Sequence, residues 1–283
     1  MSWPILACIS IITVSVAGIL ERVLMKNEQS NPIGYAILFQ LILGSISLVF
    51  AVVFGKFALP SVSIPWYQFI ISSVLWAAST VFTFQAVKTL TAGEVTILSA
   101  SGAIISILLG IIFLREVLTV PLLIGTVLIL LAIWIINTEH VSFSSKRGII
   151  FALLAALCAG IAVVNDASIL KHYEAFSYTA IMSFLPGILL ICCFPKELVK
   201  TVRTIHRNVI FMMVIFCLFY AIQAITYYLA FQYGAPVSQL SPLTKSSIVL
   251  TVILAAVFLK EKSNLPKKII AAILVTVGAI LLG

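Results

Sequence analysis

Charged residues are scarce in this sequence. Asp, Glu, Lys and Arg make up 9% of the 283 residues, whereas 62% are hydrophobic, and the mean hydropathy is +1.23. A soluble domain carries roughly 25% charged residues, so the composition excludes a soluble enzyme or binding domain. Helices satisfy their backbone hydrogen bonds within the segment that crosses the lipid. The sequence therefore predicts an all-α polytopic membrane protein.

Clusters of metal-ligating or acid–base residues are also lacking. There is no His-Glu-x-x-His, Asp-rich or Cys-x-x-Cys pattern, and the three histidines all fall in polar loops. The five cysteines lie in apolar runs, which predicts buried free thiols. We predict no metal, no cofactor, no nucleic-acid partner and no enzymatic activity. A membrane-embedded enzyme that modifies lipids, or an accessory subunit without its own substrate, stays an alternative.

Long apolar runs dominate the chain. Ten of them, of roughly 17–25 residues, are long enough to cross about 30 Å of hydrocarbon. They are 3–24, 32–54, 66–87, 92–114, 119–137, 148–170, 176–194, 208–231, 235–259 and 266–282. The most polar mid-chain segment, 139–147, is the predicted linker between two five-helix units, 1–138 and 148–283.

The two units match each other at a shift of 145 positions. Glu21 corresponds to Asp166, and Glu116 to Glu261. Further pairs are Pro121 with Pro266, and Gly102, Ser106 and Gly110 with Ser247, Thr251 and Ala255. Because five is an odd number, the second unit must run inverted relative to the first. Inverted repeats around a central site are a recurrent architecture of secondary transporters.

Lys245 is the most conspicuous candidate site residue. It is the eleventh residue of the run 235–259 and should therefore lie near the bilayer midplane. A lysine there costs about 2.5–3.5 kcal/mol on insertion scales, which makes a functional role the default interpretation. Ser241 shares its helical face. We predict that both contact substrate; the alternative is a lysine that pairs with a carboxylate or helix carbonyls only to hold helices together.

Two polar and aromatic stripes predict the walls of a substrate cavity between the third, fourth, eighth and ninth runs. Each stripe follows i, i+3, i+7 spacing on one helical face. The stripes are Trp76, Ser79 and Thr83 in the third run, and Tyr220, Gln223 and Tyr227 in the eighth. The alternative is aromatic packing with hydrogen bonds between helices.

Three acidic residues within helices or at their ends are candidates for gating or proton coupling. Glu21 and Asp166 are equivalent positions of the two units, and the alternative for both is an interface charge that reaches towards water. Glu94 begins the fourth run, where a carboxylate also suits the positive end of a helix dipole.

Two segments of the chain carry a family resemblance. They are Phe82-Thr-Phe-Gln-Ala-Val-Lys-Thr-Leu-Thr-Ala-Gly-Glu followed by Phe113-Leu-Arg-Glu and Pro121, and Tyr228-Leu-Ala-Phe-Gln-Tyr-Gly-Ala-Pro followed by Phe258-Leu-Lys-Glu and Pro266. Each resembles the EamA repeat of the drug/metabolite transporter superfamily. The resemblance implies ten helices, a central cavity and alternating access without ATP hydrolysis. That superfamily moves amino acids, drugs, nucleotide sugars and other metabolites.

We therefore expect a secondary transporter of a bacterial inner membrane that exports or exchanges a small polar metabolite, such as an amino acid or a related compound. Its partners would be this substrate and the lipid bilayer, and a homodimer is compatible with the fold. The related small multidrug transporters carry a coupling glutamate where this chain has Gly18 and Val163. Lys245 resembles a basic residue of organophosphate translocators, although Ser246 replaces the adjacent arginine. An organic-anion or phosphate-type exchanger is therefore the alternative.

Overall fold

The computed structural model describes residues 2–25, 31–55, 57–60, 65–90, 92–137, 145–251 and 265–282. Its helices are α1 (Trp3–Met25), α2 (Pro32–Val53), α3 (Trp66–Thr89), α4 (Ala92–Leu114), α5 (Val120–Asn137), α6 (Lys146–Leu170), α7 (Ala175–Cys193), α8 (Pro195–Thr204), α9 (Arg207–Gln232), α10 (Val237–Lys245) and α11 (Leu265–Leu282). Most of the predicted linker 139–147, together with Ala255 and Glu261, lies outside the described residues.

Six described helices are long and apolar enough to cross a membrane: α1, α2, α3, α6, α7 and α9. Shorter apolar segments lie within α4, α5 and α11. Large apolar side chains such as Val49, Ile112 and Phe211 are exposed on the outside of the helices, where lipid would cover them. The described chain is thus an all-helical polytopic membrane protein.

The structure differs from the predicted run 235–259 at Ser246. The α10 helix ends at Lys245, Ser246 forms a turn, and residues 247–251 are helical again. Pro242 lies inside α10 and has no N–H to donate within the helix. The Ser246 N–H donates to the carbonyl of Leu243 over 3.0 Å, so the last turn tightens before the chain restarts. One continuous ninth helix was therefore the wrong prediction.

The short helix α8 was also missed. It lies between α7 and α9, in a stretch too polar to count as an apolar run. Pro195 is its first residue, a position where a missing N–H costs little.

The main helix contacts join one half of the chain to the other half. The α1 helix packs along α9, and its equivalent α6 packs along α3. The α2 helix packs along α7, and α5 along α11, so each of these pairs joins equivalent helices. Each of these contacts therefore joins a helix of the first half of the chain to a helix of the second half.

Two hydrogen bonds between helices occupy equivalent positions in the two halves of the chain. The Ser106 hydroxyl donates to the Gly160 carbonyl over 3.4 Å, between α4 and α6. The Thr251 hydroxyl donates to the Ser15 carbonyl over 3.3 Å, between the segment 247–251 and α1. Both donors and both acceptors are 145 positions apart. Small residues allow such close backbone approach in lipid, so packing accounts for Gly102 and Ser106.

All five cysteines are free, but most are not buried. Only Cys217 is buried, whereas Cys8, Cys192 and Cys193 are exposed on helix surfaces. The prediction of buried thiols was wrong for these three, because lipid-facing positions are as apolar in sequence as core positions.

Candidate functional site: a buried carboxylate and a lysine at a helix break

Asp166 of α6 is completely buried and accepts four hydrogen bonds. Its Oδ1 accepts from Ser72 Oγ at 2.5 Å and Tyr178 Oη at 2.6 Å. Its Oδ2 accepts from Trp76 Nε1 at 2.8 Å and Tyr228 Oη at 3.1 Å. The interface charge reaching towards water, which was the alternative for this residue, is thereby excluded. We call these five residues the Asp166 cluster.

The cluster draws its donors from α3, α7 and α9. Ser72 and Trp76 lie one turn apart on α3 and therefore point the same way. Asn165, the neighbour of Asp166, fixes Ser72 by donating to its Oγ over 2.7 Å and to the Gln68 carbonyl over 2.8 Å. One half of the chain thus contributes α3, and the other half contributes α6, α7 and α9.

Aromatic rings and polar contacts close the bundle beside this cluster. The Tyr178 ring meets those of Phe69, Tyr173 and Tyr228 at centroid distances of 5.8, 6.4 and 5.1 Å. The Tyr173 hydroxyl donates to the carbonyl of Ala58, in the segment that follows α2. Burial raises the pKa of Tyr173 to about 12, so this hydroxyl stays a neutral donor at physiological pH.

Four donors replace water around a carboxylate that would otherwise be costly to bury. Hydrogen bonds to a charged group each contribute about 1.5–3 kcal/mol, more than bonds between neutral groups. Because the donors come from three other helices, the Asp166 cluster ties these helices together at one end of the bundle. Any motion that separates α3 from α7 or α9 must break some of these bonds.

Lys245 lies at the other notable position, the break between α10 and the segment 247–251. Its side chain is half-buried. Within the described part of the chain, no group forms a hydrogen bond or ion pair with its ammonium group. Ser241, one turn earlier, is buried on the same face of α10. Carbonyls at the C-terminal end of a helix favour a nearby cation, but they do not neutralise its full charge.

Glu116 holds the opposite end of α10. Its Oε1 accepts from the Val237 N–H at 2.6 Å and its Oε2 from the Ser238 N–H at 2.7 Å. Glu116 follows Arg115, whose φ of 57° ends α4 in a left-handed turn, and the Glu116 N–H donates back to Gly110 over 3.3 Å. A carboxylate of the first unit thus caps the half-helix that carries Lys245.

Four residues of the predicted stripes make contacts between helices. Trp76 turns its indole N–H to Asp166, and the Ser79 hydroxyl donates to the Ala155 carbonyl of α6 over 3.1 Å. On α9 the Tyr220 ring packs against Phe39 at 5.0 Å, and the Gln223 amide donates to Ser10 over 3.3 Å. These placements correspond to interhelical packing and hydrogen bonding.

The remaining predicted site residues lie on different helices and differ in burial. Thr83 is half-buried on α3, and Tyr227 is buried with its ring 4.9 Å from that of Phe231. Glu94 is fully buried in the first turn of α4. Glu21 is half-buried near the end of α1, within electrostatic range of Tyr220.

Sequence reasoning missed Ser72, Tyr178 and Tyr228. Ser72 precedes Trp76 by one turn, so an extension of the α3 stripe would have found it. Tyr228 follows the predicted Tyr227, but no periodicity shows which of the two turns towards Asp166. Tyr178 comes from α7, where the sequence shows no polar stripe.

Comparison with known proteins places this geometry in a family. The model of the EamA-like transporter family matches residues 1–138 and 146–283, one match for each half of the chain. The chain belongs to the EamA-like transporter family. Membership makes it a membrane transporter of the drug/metabolite superfamily, as the two repeated motifs suggested.

Solved structures agree with the EamA assignment at the level of fold. A crystal structure titled only as a protein aligns with a TM-score of 0.75 and 16% identity, over 99% of this chain and 95% of its own. At this identity the likeness shows the fold alone. No curated protein matches the chain.

Proposed function

We propose that this EamA-family protein is a secondary transporter of a bacterial inner membrane that exports or exchanges a small polar metabolite by alternating access. Two inverted five-helix units would form it, with ten spans in all. The exchanged helix packing and the two equivalent hydrogen bonds, Ser106 to Gly160 and Thr251 to Ser15, support the inversion. Rocking of one such unit against the other is the usual route of alternating access.

The observation that carries the proposal is Lys245 at the break of a membrane helix. Discontinuous helices form substrate and ion sites in many transporters, because the break presents polar groups at membrane depth. A half-buried ammonium group that no described acidic residue neutralises is suited to bind a substrate carboxylate or phosphate. Ser241 would add a hydroxyl on the same face, and Glu116 would fix the half-helix that presents both.

The Asp166 cluster supplies the second part of the proposal. It joins α3 to α6, α7 and α9 at one end of the bundle, beside the aromatic rings that close this end. We assign it the role of a gate that is shut in this structure. Glu21, the equivalent residue of the first unit, is only half-buried, so the two equivalent positions differ in burial.

A thermal-stability screen of the detergent-solubilised protein tests this function. The compounds are amino acids, phosphorylated metabolites, nucleotide sugars and lipophilic cations. A ligand at about 100 times its dissociation constant adds about 2.7 kcal/mol to native stability. We expect an anion or zwitterion to stabilise the wild type and to lose this effect in Lys245→Gln. Stabilisation by lipophilic cations that persists in the mutant would contradict the role of Lys245.

An organic-anion or phosphate-type exchanger is the second candidate function. The same observation favours it, because a lone ammonium group at membrane depth suits a substrate with net negative charge. Stabilisation by phosphorylated metabolites, but not by zwitterionic amino acids, would select this function over amino-acid export.

A further inference from the structure

The α8 helix is held against the membrane bundle in a fixed orientation. Its Glu197 accepts a hydrogen bond from Asn31 Nδ2 over 2.5 Å. On the same side Thr201 is buried against Gly34 of α2, where even a single added carbon would lie 1.9 Å from Thr201 Oγ1. Since α7 and α9 are both long apolar helices, α8 connects them at the membrane surface.

A second face of α8 carries only cations. Lys196, Lys200 and Arg203 are spaced by four and three residues, which places them on one side of the helix. All three are exposed, and within the described residues none forms an ion pair. Among the residues that the structure describes, no ion pair therefore neutralises these charges.

A third face of α8 is apolar and exposed. Val199 and Val202 are 50% and 56% accessible, and the helical angle of 100° per residue places them next to the cationic face. Part of both faces lines an open depression of about 490 Å³. An exposed valine stripe beside a basic stripe is the arrangement of a helix that rests in the headgroup region of a bilayer.

The charge distribution indicates which leaflet α8 meets. The end of the bundle that bears α8 also bears the exposed cations Lys146, Arg147 and Arg207. The opposite end bears Arg115 and Lys171 among the described residues. Basic residues concentrate on the cytoplasmic side of membrane proteins, and the surface of that leaflet is negatively charged.

We propose that α8 binds the phosphate groups of anionic phospholipids through Lys196, Lys200 and Arg203, while Val199 and Val202 enter the acyl boundary. The valines favour a lipid over a free phosphate ion, because the ion has no apolar part that could contact them. This surface is separate from Lys245 and the Asp166 cluster, and the inference does not depend on the transported substrate.

Native mass spectrometry of the purified protein in neutral detergent tests the proposal, with phosphatidylglycerol and phosphatidylcholine as probes. Each cation near an anionic surface contributes about fivefold in affinity. The triple variant Lys196→Gln, Lys200→Gln, Arg203→Gln should therefore bind phosphatidylglycerol about 100-fold more weakly, with phosphatidylcholine binding unchanged. Lys196→Arg with Lys200→Arg should retain the affinity for phosphatidylglycerol.

The control removes the two exposed charges of the opposite end of the bundle, as Arg115→Gln and Lys171→Gln. This control should bind phosphatidylglycerol like the wild type. An equal loss in the control, an unchanged affinity in the α8 triple variant, or displacement of the lipid by an equal concentration of inorganic phosphate would each overturn the proposal. If the triple variant does not fold, Lys200→Gln alone should lose about fivefold, and unchanged affinity there would count equally against it.

Discussion

Asp166 shows how a single residue ties helices together in this protein. Its carboxylate is surrounded by hydroxyl and indole donors, and the shortest hydrogen bonds come from Ser72 and Tyr178. Such a group is stable in the interior only while its donors stay in place. The effect of losing one donor is therefore a direct measure of how firmly the Asp166 cluster closes its end of the bundle.

At this scale we predict that Tyr178→Phe and Tyr228→Phe both lower stability, Tyr178→Phe by more. The Tyr178 bond to Asp166 is 2.6 Å and the Tyr228 bond 3.1 Å, and a hydrogen bond to a charged group is worth about 1.5–3 kcal/mol. Denaturant unfolding of the detergent-solubilised protein measures the difference.

Tyr227→Phe is the matched control, because this neighbour makes no hydrogen bond to Asp166. It loses the same hydroxyl and should change stability by less than about 0.5 kcal/mol. Equal losses at Tyr227 and Tyr228 would mean that the bond to Asp166 contributes nothing.

Helix α10 is the element that presents Lys245, and Glu116 determines its start. We predict that Glu116→Gln costs about 1 kcal/mol of stability, since it weakens two cap bonds and removes a charge that suits the helix dipole. It should also weaken substrate binding, because α10 loses its fixed register relative to the first unit. Thermal unfolding and ligand-induced stabilisation measure the two effects separately.

Glu174→Gln supplies the comparison. Glu174 accepts from the N–H groups of Phe176 and Ser177 at 2.7 Å, so it caps α7 in the way that Glu116 caps α10. Its variant should lose stability to a similar extent and keep substrate affinity. Loss of affinity in both variants would show that Glu116 has no special link to Lys245.

Most helices could be predicted from the sequence, and α8 and the break of α10 could not. Apolar length decides which segments cross lipid, so α2 and α9 begin and end within about one residue of the predicted runs. Helix α8 is polar and therefore carries no such signal. Hydropathy continues through Ser246, and only backbone geometry shows that α10 stops at Lys245.

The candidate site was harder to predict than the helices. Lys245 and Asp166 stand out as charges in apolar runs. The partners of Asp166 come from three other helices, and their meeting depends on packing that periodicity does not contain. The repeat matched Ser106 with Thr251, and these two residues make equivalent hydrogen bonds.

The whole molecule depends on close packing between equivalent helices of the two halves. Between α5 and α11, a carbon added to Gly125 would lie 2.8 Å from the Gly278 carbonyl oxygen, and one added to Gly278 would lie equally close to that of Gly125. We predict that Gly125→Ala and Gly278→Ala each lower the melting temperature, because the helices must move apart. A cost of about 1–3 kcal/mol is typical of such overpacking.

Gly18→Ala tests whether the effect comes from packing. An added carbon at Gly18 meets nothing within 4 Å, and alanine favours a helix over glycine by about 1 kcal/mol. This variant should be neutral or stabilised. A melting temperature lowered as much as in Gly125→Ala would mean that the close approach of α5 and α11 is unimportant.

The most direct test of the central claim measures exchange of labelled amino acids and phosphorylated metabolites across the membrane of proteoliposomes, without ATP. The proteins compared are the wild type, Lys245→Gln and Lys245→Arg. The account predicts exchange by the wild type, none above empty liposomes for Lys245→Gln, and partial recovery for Lys245→Arg, which keeps the charge. All three proteins should insert and unfold alike. Undiminished exchange by Lys245→Gln would contradict the account.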